Sequence, residues 1–141
     1  MSGIELVGLA IADENQRVLL LHRRDHNQWQ LPGGRKLAGE TAADAAARHA
    51  FEELNVDVLK QRYLGHAAFS QGGVDYECEW RGAEAIRNVP ILGDMDAYDD
   101  ARYHNLMKYN IRSIGVSPNV DRFIQAVHSS EIRLLPVSTV Q

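Results

Sequence analysis

Cysteine and long apolar runs are both scarce in this sequence of 141 residues. Cys78 is the single cysteine, so the chain cannot form an internal disulfide, and a reducing compartment such as the cytoplasm is the expected location. No apolar run approaches the roughly 18 residues that a membrane-spanning helix needs, so we expect no contact with a membrane. Residues 1–16 contain no Lys or Arg ahead of their apolar stretch, which favours a strand over a signal peptide.

Basic residues are outnumbered as well. Lys and Arg total 15 against 19 for Asp and Glu, which gives a net charge of −4 with histidines neutral. Because nucleic-acid binders usually carry a basic surplus on one face, we expect no nucleic-acid partner, and an RNA-decapping role is disfavoured. An acidic protein can still bind phosphates when a divalent cation bridges the like charges. The apolar share of 45% is typical of a soluble globular chain, so we predict one domain over residues 1–141.

Strand and helix signals alternate along the chain. Two apolar runs at 4–12 and 17–22, separated by a polar turn, predict a β-hairpin. Residues 41–54 predict a helix that begins after Thr41 as N-cap and is closed by Asn55 in the left-handed conformation. The further predicted elements are strands over 56–70 and 74–86, helices over 96–110 and 117–129, and a short edge strand or loose end over 131–141.

The predicted helix over 41–54 has two different faces. At about 100° per residue, one arc is apolar and is predicted to face the core. Its members are Ala43, Ala47, Ala50, Phe51 and Leu54. The opposite side carries His49, Glu52 and Glu53, and adjacent carboxylates of this kind suit Mg²⁺ or Mn²⁺. An ordinary solvated acidic face would show the same pattern.

The spacing of residues 34–56 is more specific than a pair of carboxylates. It resembles the Nudix box, G-x5-E-x7-R-E-U-x-E-E-x-G-U, in which U is aliphatic. The matching positions are Gly34, Glu40, Arg48, Ala50, Glu52, Glu53 and Val56. The preceding segment, Trp29-Gln30-Leu31-Pro32-Gly33-Gly34, is similar to the W-x-L/F-P-G-G lead-in of that family. This resemblance implies the Nudix fold, an α/β (α+β) domain with a mixed, curled β-sheet between helices.

Two positions depart from the family pattern. His49 stands where the family has the Glu that follows Arg, and Asn55 stands where it has Gly. The second change is mild, because Asn tolerates the left-handed backbone. In the family the missing Glu helps to bind the metal or to activate the attacking water. The box therefore supports the fold more firmly than it supports the activity.

The resemblance implies a metal-dependent pyrophosphohydrolase that cleaves a nucleoside diphosphate linked to another moiety. Glu52 and Glu53 match the side chains that bind Mg²⁺ or Mn²⁺ in the family, and the Gly33 carbonyl matches a backbone ligand. Arg48 and Glu40 match a pair whose salt bridge holds the loop against the helix. The alternative is a catalytically impaired Nudix-fold module that binds a nucleotide or a partner without hydrolysing it.

His49 has three interpretations within this scheme. It is an ordinary surface or packing histidine, a substitute metal ligand that would favour Mn²⁺ or Zn²⁺, or a replacement general base. In the second and third cases activity should fall as the pH drops below the pKa of the histidine.

Residues outside the box are candidates for substrate binding and for a further carboxylate of the site. Arg23 and Arg24 end the second predicted strand, where several family members place a phosphate-contacting Arg. Trp29 either stacks on a base or packs beside the Pro-Gly-Gly loop. In the family, one more carboxylate of the site often comes from a downstream loop. Seven residues of this sequence qualify by their chemistry, and the sequence does not distinguish between them: Glu77, Glu79, Glu84, Asp94, Asp96, Asp99 and Asp100.

The part of the chain after the box matches no substrate signature. The tyrosines at 98, 103 and 109 are interpreted as packing on the helix predicted over 96–110. Residues 91–141 are the variable part of the predicted domain, and 91–116 fall where substrate-selecting elements often lie in the family. Family members often dimerise, so a homodimer is a further expectation.

Overall fold

Eight strands and two helices make up this protein, whose computed structural model describes residues 3–140. In chain order the elements are β1 (Ile4–Ala10), β2 (Val18–Arg23), β3 (Gln28–Gln30), β4 (Gly33–Arg35), α1 (Ala42–Leu54), β5 (Asp57–Gln71), β6 (Val74–Arg87), β7 (Tyr98–His104), a short 3-10 helix (Ile111–Ile114), α2 (Pro118–His128) and β8 (Ser138–Val140). No helix among residues 3–140 has the length and apolar character that crossing a membrane requires.

The strands form two sheets. The larger has the order β4-β1-β6-β5, with β8 added beside the end of β6. It is mixed, because β1 runs parallel to β6 while β4 and β5 are antiparallel to their neighbours. The smaller sheet, β3-β2-β7, is antiparallel. The predicted mixed α+β architecture is confirmed, with its strands divided between two sheets.

Both faces of the chain are buried over residues 7–12 and 18–21, where successive side chains point to opposite sides of the sheet. One set of alternate residues packs under α1 and the other packs under α2. The first set is Val7, Leu9, Ile11, Leu19 and Leu21; the second is Ala10, Ala12, Val18 and Leu20. Each fully buried Leu or Ile stabilises the fold by roughly 1.5–3 kcal/mol, so these two strands form the rigid centre of the domain.

The caps of α1 form as predicted, but its buried face is rotated. Thr41 Oγ1 accepts a hydrogen bond from the Asp44 N–H at 3.0 Å, and Asn55 ends the helix with φ 57°. The buried residues are Ala45, Ala46, Ala50, Glu53 and Leu54, whereas Phe51 is 57% exposed. Small alanines let the helix pack closely on the sheet, and this rotation turns Glu53 inward. The prediction that Glu53 lies on the side of the helix opposite the core is therefore wrong.

Two other predicted elements differ from the structure. The hairpin predicted over 4–12 and 17–22 forms only next to its turn, where Ala12 and Val18 form an antiparallel bridge and the Asp13 N–H donates to the Arg17 carbonyl oxygen. β1 and β2 themselves belong to different sheets. No helix forms over 96–110: residues 98–104 are β7, which pairs with β2 along its length, and residues 105–110 contain turns. Pairing with a buried strand outweighs the weak helical pattern of this segment. The strands at 56–70 and 74–86 and the helix at 117–129 are confirmed.

Candidate active site

One cavity of about 620 Å³ opens where β4, α1 and the segment before β7 meet. We call it the acidic cavity, because Glu52, Glu53 and Asp94 line it beside Gly33 and His49. The two glutamates and His49 come from the last two turns of α1, and Gly33 comes from β4. Of the positions that match the Nudix box, Gly34, Glu52 and Glu53 line this cavity.

Glu53 is the most constrained carboxylate of the cavity. Its side chain is 7% exposed, and its Oε1 accepts a hydrogen bond from the Gly33 N–H at 3.0 Å. Its Oε2 lies 3.3 Å from His49 Nδ1. Burial raises the pKa of Glu53, and the hydrogen bonds from His49 and Gly33 oppose that rise. The loop and the helix therefore hold this carboxylate in one orientation.

His49 is not a surface residue, since its side chain is 15% exposed. Its Nε2 lies 2.9 Å from the Arg35 carbonyl oxygen, while Nδ1 faces Glu53. Burial disfavours the charged ring, yet the hydrogen bonds to Glu53 and Arg35 outweigh burial and raise the pKa of His49. The imidazole also fills the space against Gly34, where an added Cβ would lie 2.7 Å from His49 Cε1. His49 therefore ties β4 to the helix.

Arg48 and Glu40 form a fork-to-fork ion pair. Arg48 Nε and Nη2 donate to the two oxygens of Glu40 at 2.8 and 2.9 Å, and Nη2 also donates to the Arg35 carbonyl. The hydrogen bonds from Arg48 and from the Leu37 N–H lower the pKa of Glu40 to about 2. The pair closes the loop between β4 and α1, and a lysine could not reproduce its two parallel bonds.

Glu52 is the accessible carboxylate. Its side chain is 55% exposed, and its Oε1 accepts a hydrogen bond from Arg48 Nη1 at 3.2 Å. An exposed ion pair of this kind contributes little stability, so Glu52 can exchange Arg48 for another cation at low cost.

Asp94 reaches the cavity because its segment docks on the end of α1. The N–H groups of Ile91 and Gly93 donate to the carbonyl oxygens of Leu54 and Glu53, which the helix leaves without intrahelical partners. Of the seven carboxylates left open by the sequence, Asp94 is the one that lines the acidic cavity. No local sequence signal distinguishes it, since its position depends on this contact between distant segments.

Tyr98 is a second residue whose role the sequence did not indicate. It lies on β7, is 4% exposed and lines the cavity near Glu53. Burial and the nearby charge of Glu53 raise its pKa, so the hydroxyl stays protonated at neutral pH. Its interpretation as helix packing was wrong, because no helix forms there.

The predicted substrate-binding residues separate in the structure. Arg23 lines the acidic cavity and is paired with Asp25 at 2.6 Å. Arg24 and Trp29 do not line it. Arg24 Nε donates instead to the Met95 carbonyl oxygen at 3.1 Å, and Trp29 packs between His22 and His104. The predicted substrate contacts of Arg24 and Trp29 are therefore not supported.

The donor chemistry of the cavity fits a hard divalent cation. Three carboxylates and a backbone loop offer oxygen ligands, which Mg²⁺ and Mn²⁺ prefer. Within residues 3–140, however, no three His, Cys, Asp or Glu side chains converge closely enough to form a ligand set by themselves. Holding an ion would require Glu52 to turn from Arg48, with water completing the coordination.

Solved structures share this fold. A MutT NUDIX hydrolase from Burkholderia pseudomallei superposes with a TM-score of 0.77 at 19% identity, covering 90% of this chain and 99% of that one. At this identity the likeness shows the fold alone, that of a Nudix domain. The NUDIX domain family model matches residues 5–109, and the chain belongs to this family.

Two curated relatives match different lengths of the chain. A Bacillus subtilis (strain 168) protein provisionally named an 8-oxo-dGTP diphosphatase is 38% identical over 55 residues, which are 39% of this chain and 37% of that protein. The low-salt glycan biosynthesis protein Agl8 of Haloferax volcanii is 26% identical over 132 residues, covering 90% of this chain and 85% of that protein. The chain thus spans little more than a third of the length of the first relative.

Proposed function

We propose that this chain is a metal-dependent pyrophosphohydrolase that cleaves a nucleoside diphosphate linked to another moiety. The observation that carries the proposal is that Glu52, Glu53 and Asp94 line one cavity, which Arg23 also lines. Carboxylates gathered in this way repel one another, and a divalent cation relieves that repulsion while binding phosphates. The diphosphatase name of the Bacillus relative agrees with this chemistry.

Each residue of the cavity has a role in the proposal. Glu52, Glu53 and Asp94, with the Gly33 carbonyl, would hold Mg²⁺ or Mn²⁺, which supplies neutralisation of the diphosphate and a more acidic water. Glu53 is held in place by the Gly33 N–H. Arg23 faces the cavity with a guanidinium that suits a phosphate oxygen.

His49 is best explained as a positioning residue. Its two ring nitrogens already face Arg35 and Glu53, so a role as ligand or general base would require it to leave both. In the proposed arrangement His49 fixes the orientation of Glu53. This choice among the three interpretations accounts for the contacts of His49 with Glu53 and with the Arg35 carbonyl oxygen.

The test follows the nucleotide products of hydrolysis by chromatography, with nucleoside triphosphates, nucleotide sugars, ADP-ribose and dinucleoside polyphosphates as substrates and with Mg²⁺ and Mn²⁺ in parallel. We expect turnover on at least one substrate class, and its loss in Glu53→Gln. Glu14→Gln is the matched control, because Glu14 is exposed in a turn outside the cavity. Turnover that survives Glu53→Gln, or absence of turnover on every substrate, would contradict the proposal.

One observation favours a binding module as the second candidate. His49 faces the Glu53 oxygen that Gly33 leaves open, so the carboxylate has an internal partner without any metal. A chain of this kind would bind nucleotides without hydrolysing them. Calorimetric titration of the same nucleotide substrates distinguishes the binding module from the hydrolase, because binding without turnover supports the binding module.

A further inference from the structure

Strand β7 has an extra residue where it pairs with β2. His22 of β2 pairs with Asp100. Arg23, the next residue, pairs with Tyr98, which places Asp99 between two paired positions as an additional residue. Such a residue is a β-bulge, which bends the strand and redirects the side chains beside it. Asp99 is one of the seven carboxylates that the sequence could not separate, and it lies outside the acidic cavity.

The bulge determines which side of the sheet Tyr98 faces. Tyr103 and Ala101 both pack against the core cluster beneath α1, as alternate residues of one strand should. Unbroken alternation would bring Asp99 to that side next and would turn Tyr98 to the other side. Because of the additional residue, Tyr98 instead lies in the cluster beneath α1 and lines the acidic cavity near Glu53.

His22 holds the bulged residue from the neighbouring strand. Its Nδ1 lies 2.6 Å from Asp99 Oδ1, and its Nε2 lies 2.9 Å from Asn27 Oδ1 in the turn between β2 and β3. The hydrogen bond from His22 lowers the pKa of Asp99, so this carboxylate is charged at neutral pH and can only accept. The His22 ring also packs against the Trp29 ring, with centroids 5.1 Å apart. One imidazole therefore links β2, β7 and the turn.

We propose that His22 and Asp99 are positioning residues of the acidic cavity. Their contact holds β7 in the register that turns Tyr98 toward Glu53. A slip of one residue would remove the bulge and exchange the faces of Tyr98 and Asp99. It would also displace Asp94, whose carbonyl oxygen accepts a hydrogen bond from the Tyr98 N–H at 3.1 Å. The link to metal binding rests on the proposed function, whereas the register of β7 is a property of the chain alone.

NMR of the whole chain, without metal or substrate, tests which way Tyr98 faces. In the wild type we expect nuclear Overhauser contacts between the Tyr98 ring and methyl groups of the cluster beneath α1. His22→Phe keeps a ring against Trp29 but has no polar atom, so these contacts should weaken and a second set of Tyr98 signals should appear. His22→Gln should keep the wild-type contacts, because its amide can still donate to Asp99.

The dissociation constant of Mn²⁺, measured through the relaxation of water protons, is the second readout. We expect it to rise about tenfold in His22→Phe, as when a partner that orients a metal ligand is lost. Asp99→Ala should have the same effect, and the double variant should be no worse, since both substitutions remove one contact. His22→Gln should bind Mn²⁺ almost as the wild type does. His66→Ala is the matched control, because His66 contacts Tyr63 Oη at 2.6 Å on β5, outside the acidic cavity.

Two results would overturn the proposal: unchanged Tyr98 contacts in both His22→Phe and Asp99→Ala, or additive effects of the two substitutions on Mn²⁺ binding. Should His22→Phe unfold, Asp99→Ala decides the question alone, because the Asp99 side chain is 37% exposed and its loss leaves the core intact. A wild type with the expected Tyr98 contacts but without hydrolysis contradicts only the proposed function. Hydrolysis with Tyr98 contacts that ignore His22 and Asp99 contradicts only this proposal.

Discussion

His49 and Glu53 lie one helical turn apart on α1, with Nδ1 and Oε2 separated by 3.3 Å. The family pattern places a carboxylate at the first of these positions, where it would repel Glu53 unless a cation lay between them. Histidine replaces this repulsion with a favourable contact, because its Nδ1 faces Glu53 Oε2 and its Nε2 faces the Arg35 carbonyl oxygen. The loop-to-helix contact of this chain is therefore formed by the protein itself, before any ion binds.

Restoring the family residue should make the fold depend on metal. In His49→Glu the hydrogen bonds of the imidazole are lost and two carboxylates face each other, so we expect the free energy of unfolding to fall by about 1–3 kcal/mol without metal. Mn²⁺ should then raise the melting temperature of the variant more than that of the wild type. His49→Gln, which adds no charge, is the control. An equal response of all three chains to Mn²⁺ would contradict this account.

Gly34 and His49 should show an energetic coupling. A Cβ at position 34 would lie 2.7 Å from His49 Cε1, so Gly34→Ala should destabilise the wild type by about 1–3 kcal/mol. In the His49→Ala background we expect at least about 1 kcal/mol of this cost to disappear, since the ring is gone. Any conformational strain that alanine causes in the main chain at position 34 is the same with His49 and with Ala at position 49, so it cancels in the difference between the two free-energy changes. Urea unfolding of the four chains measures the coupling.

The control for that cycle is Gly39→Ala. Gly39 has a φ of 77° and nothing within 4 Å of its added Cβ, so the substitution costs only the left-handed backbone, about 1–2 kcal/mol. That cost should be the same with His49 or Ala at position 49. If Gly34→Ala lowers the free energy of unfolding by the same amount with His49 and with Ala at position 49, the imidazole ring is not the reason that position 34 requires glycine.

The ion pair of Glu40 with Arg48 should make stability depend on pH in the acid range. The pKa of Glu40 is lowered from its ordinary value of 4.5 to about 2, chiefly by the hydrogen bonds from Arg48. A group whose pKa is lower in the folded state stabilises the fold above its unfolded pKa and loses this contribution as the pH falls through its folded pKa. The stability difference between wild type and Glu40→Gln should therefore be constant above about pH 4.5 and shrink towards pH 2. A difference that stays constant to pH 2, measured by urea unfolding, would contradict the assignment.

The box segment could be predicted from sequence because its determinants are local. Thr41 caps α1 by accepting a hydrogen bond from the N–H of Asp44, three residues further on. Asn55 adopts the left-handed conformation that its own residue type tolerates, and Arg48 pairs with Glu40 across a short loop. Each contact joins residues close in the chain, so spacing alone indicates it. The positions of Glu52 and Glu53 at one cavity follow from the same short segment.

The rest of the site depends on contacts between distant segments. Asp94 joins the cavity through hydrogen bonds from its loop to the end of α1, and Tyr98 joins it because β7 pairs with β2. The inward turn of Glu53 results from how closely the alanines of α1 pack on the sheet. The positions of Asp94, Tyr98 and Glu53 therefore cannot be predicted from residue spacing. For the same reason a helix was predicted where β7 lies, and the sequence did not show which of the seven carboxylates lines the cavity.

Arg23 and Arg24 are neighbours in sequence, yet the structure predicts different kinetic effects for their loss. Arg23 lines the acidic cavity, so Arg23→Met should remove a phosphate contact and lower kcat/KM by about tenfold or more. Arg24 lies outside the cavity and donates to the Met95 carbonyl oxygen, next to Asp94. Arg24→Met should therefore lower kcat by misplacing Asp94, up to about tenfold, with KM little changed. Arg102→Met, exposed on β7, is the control. A rise in KM for Arg24→Met as large as that for Arg23→Met would place Arg24 at the phosphates instead.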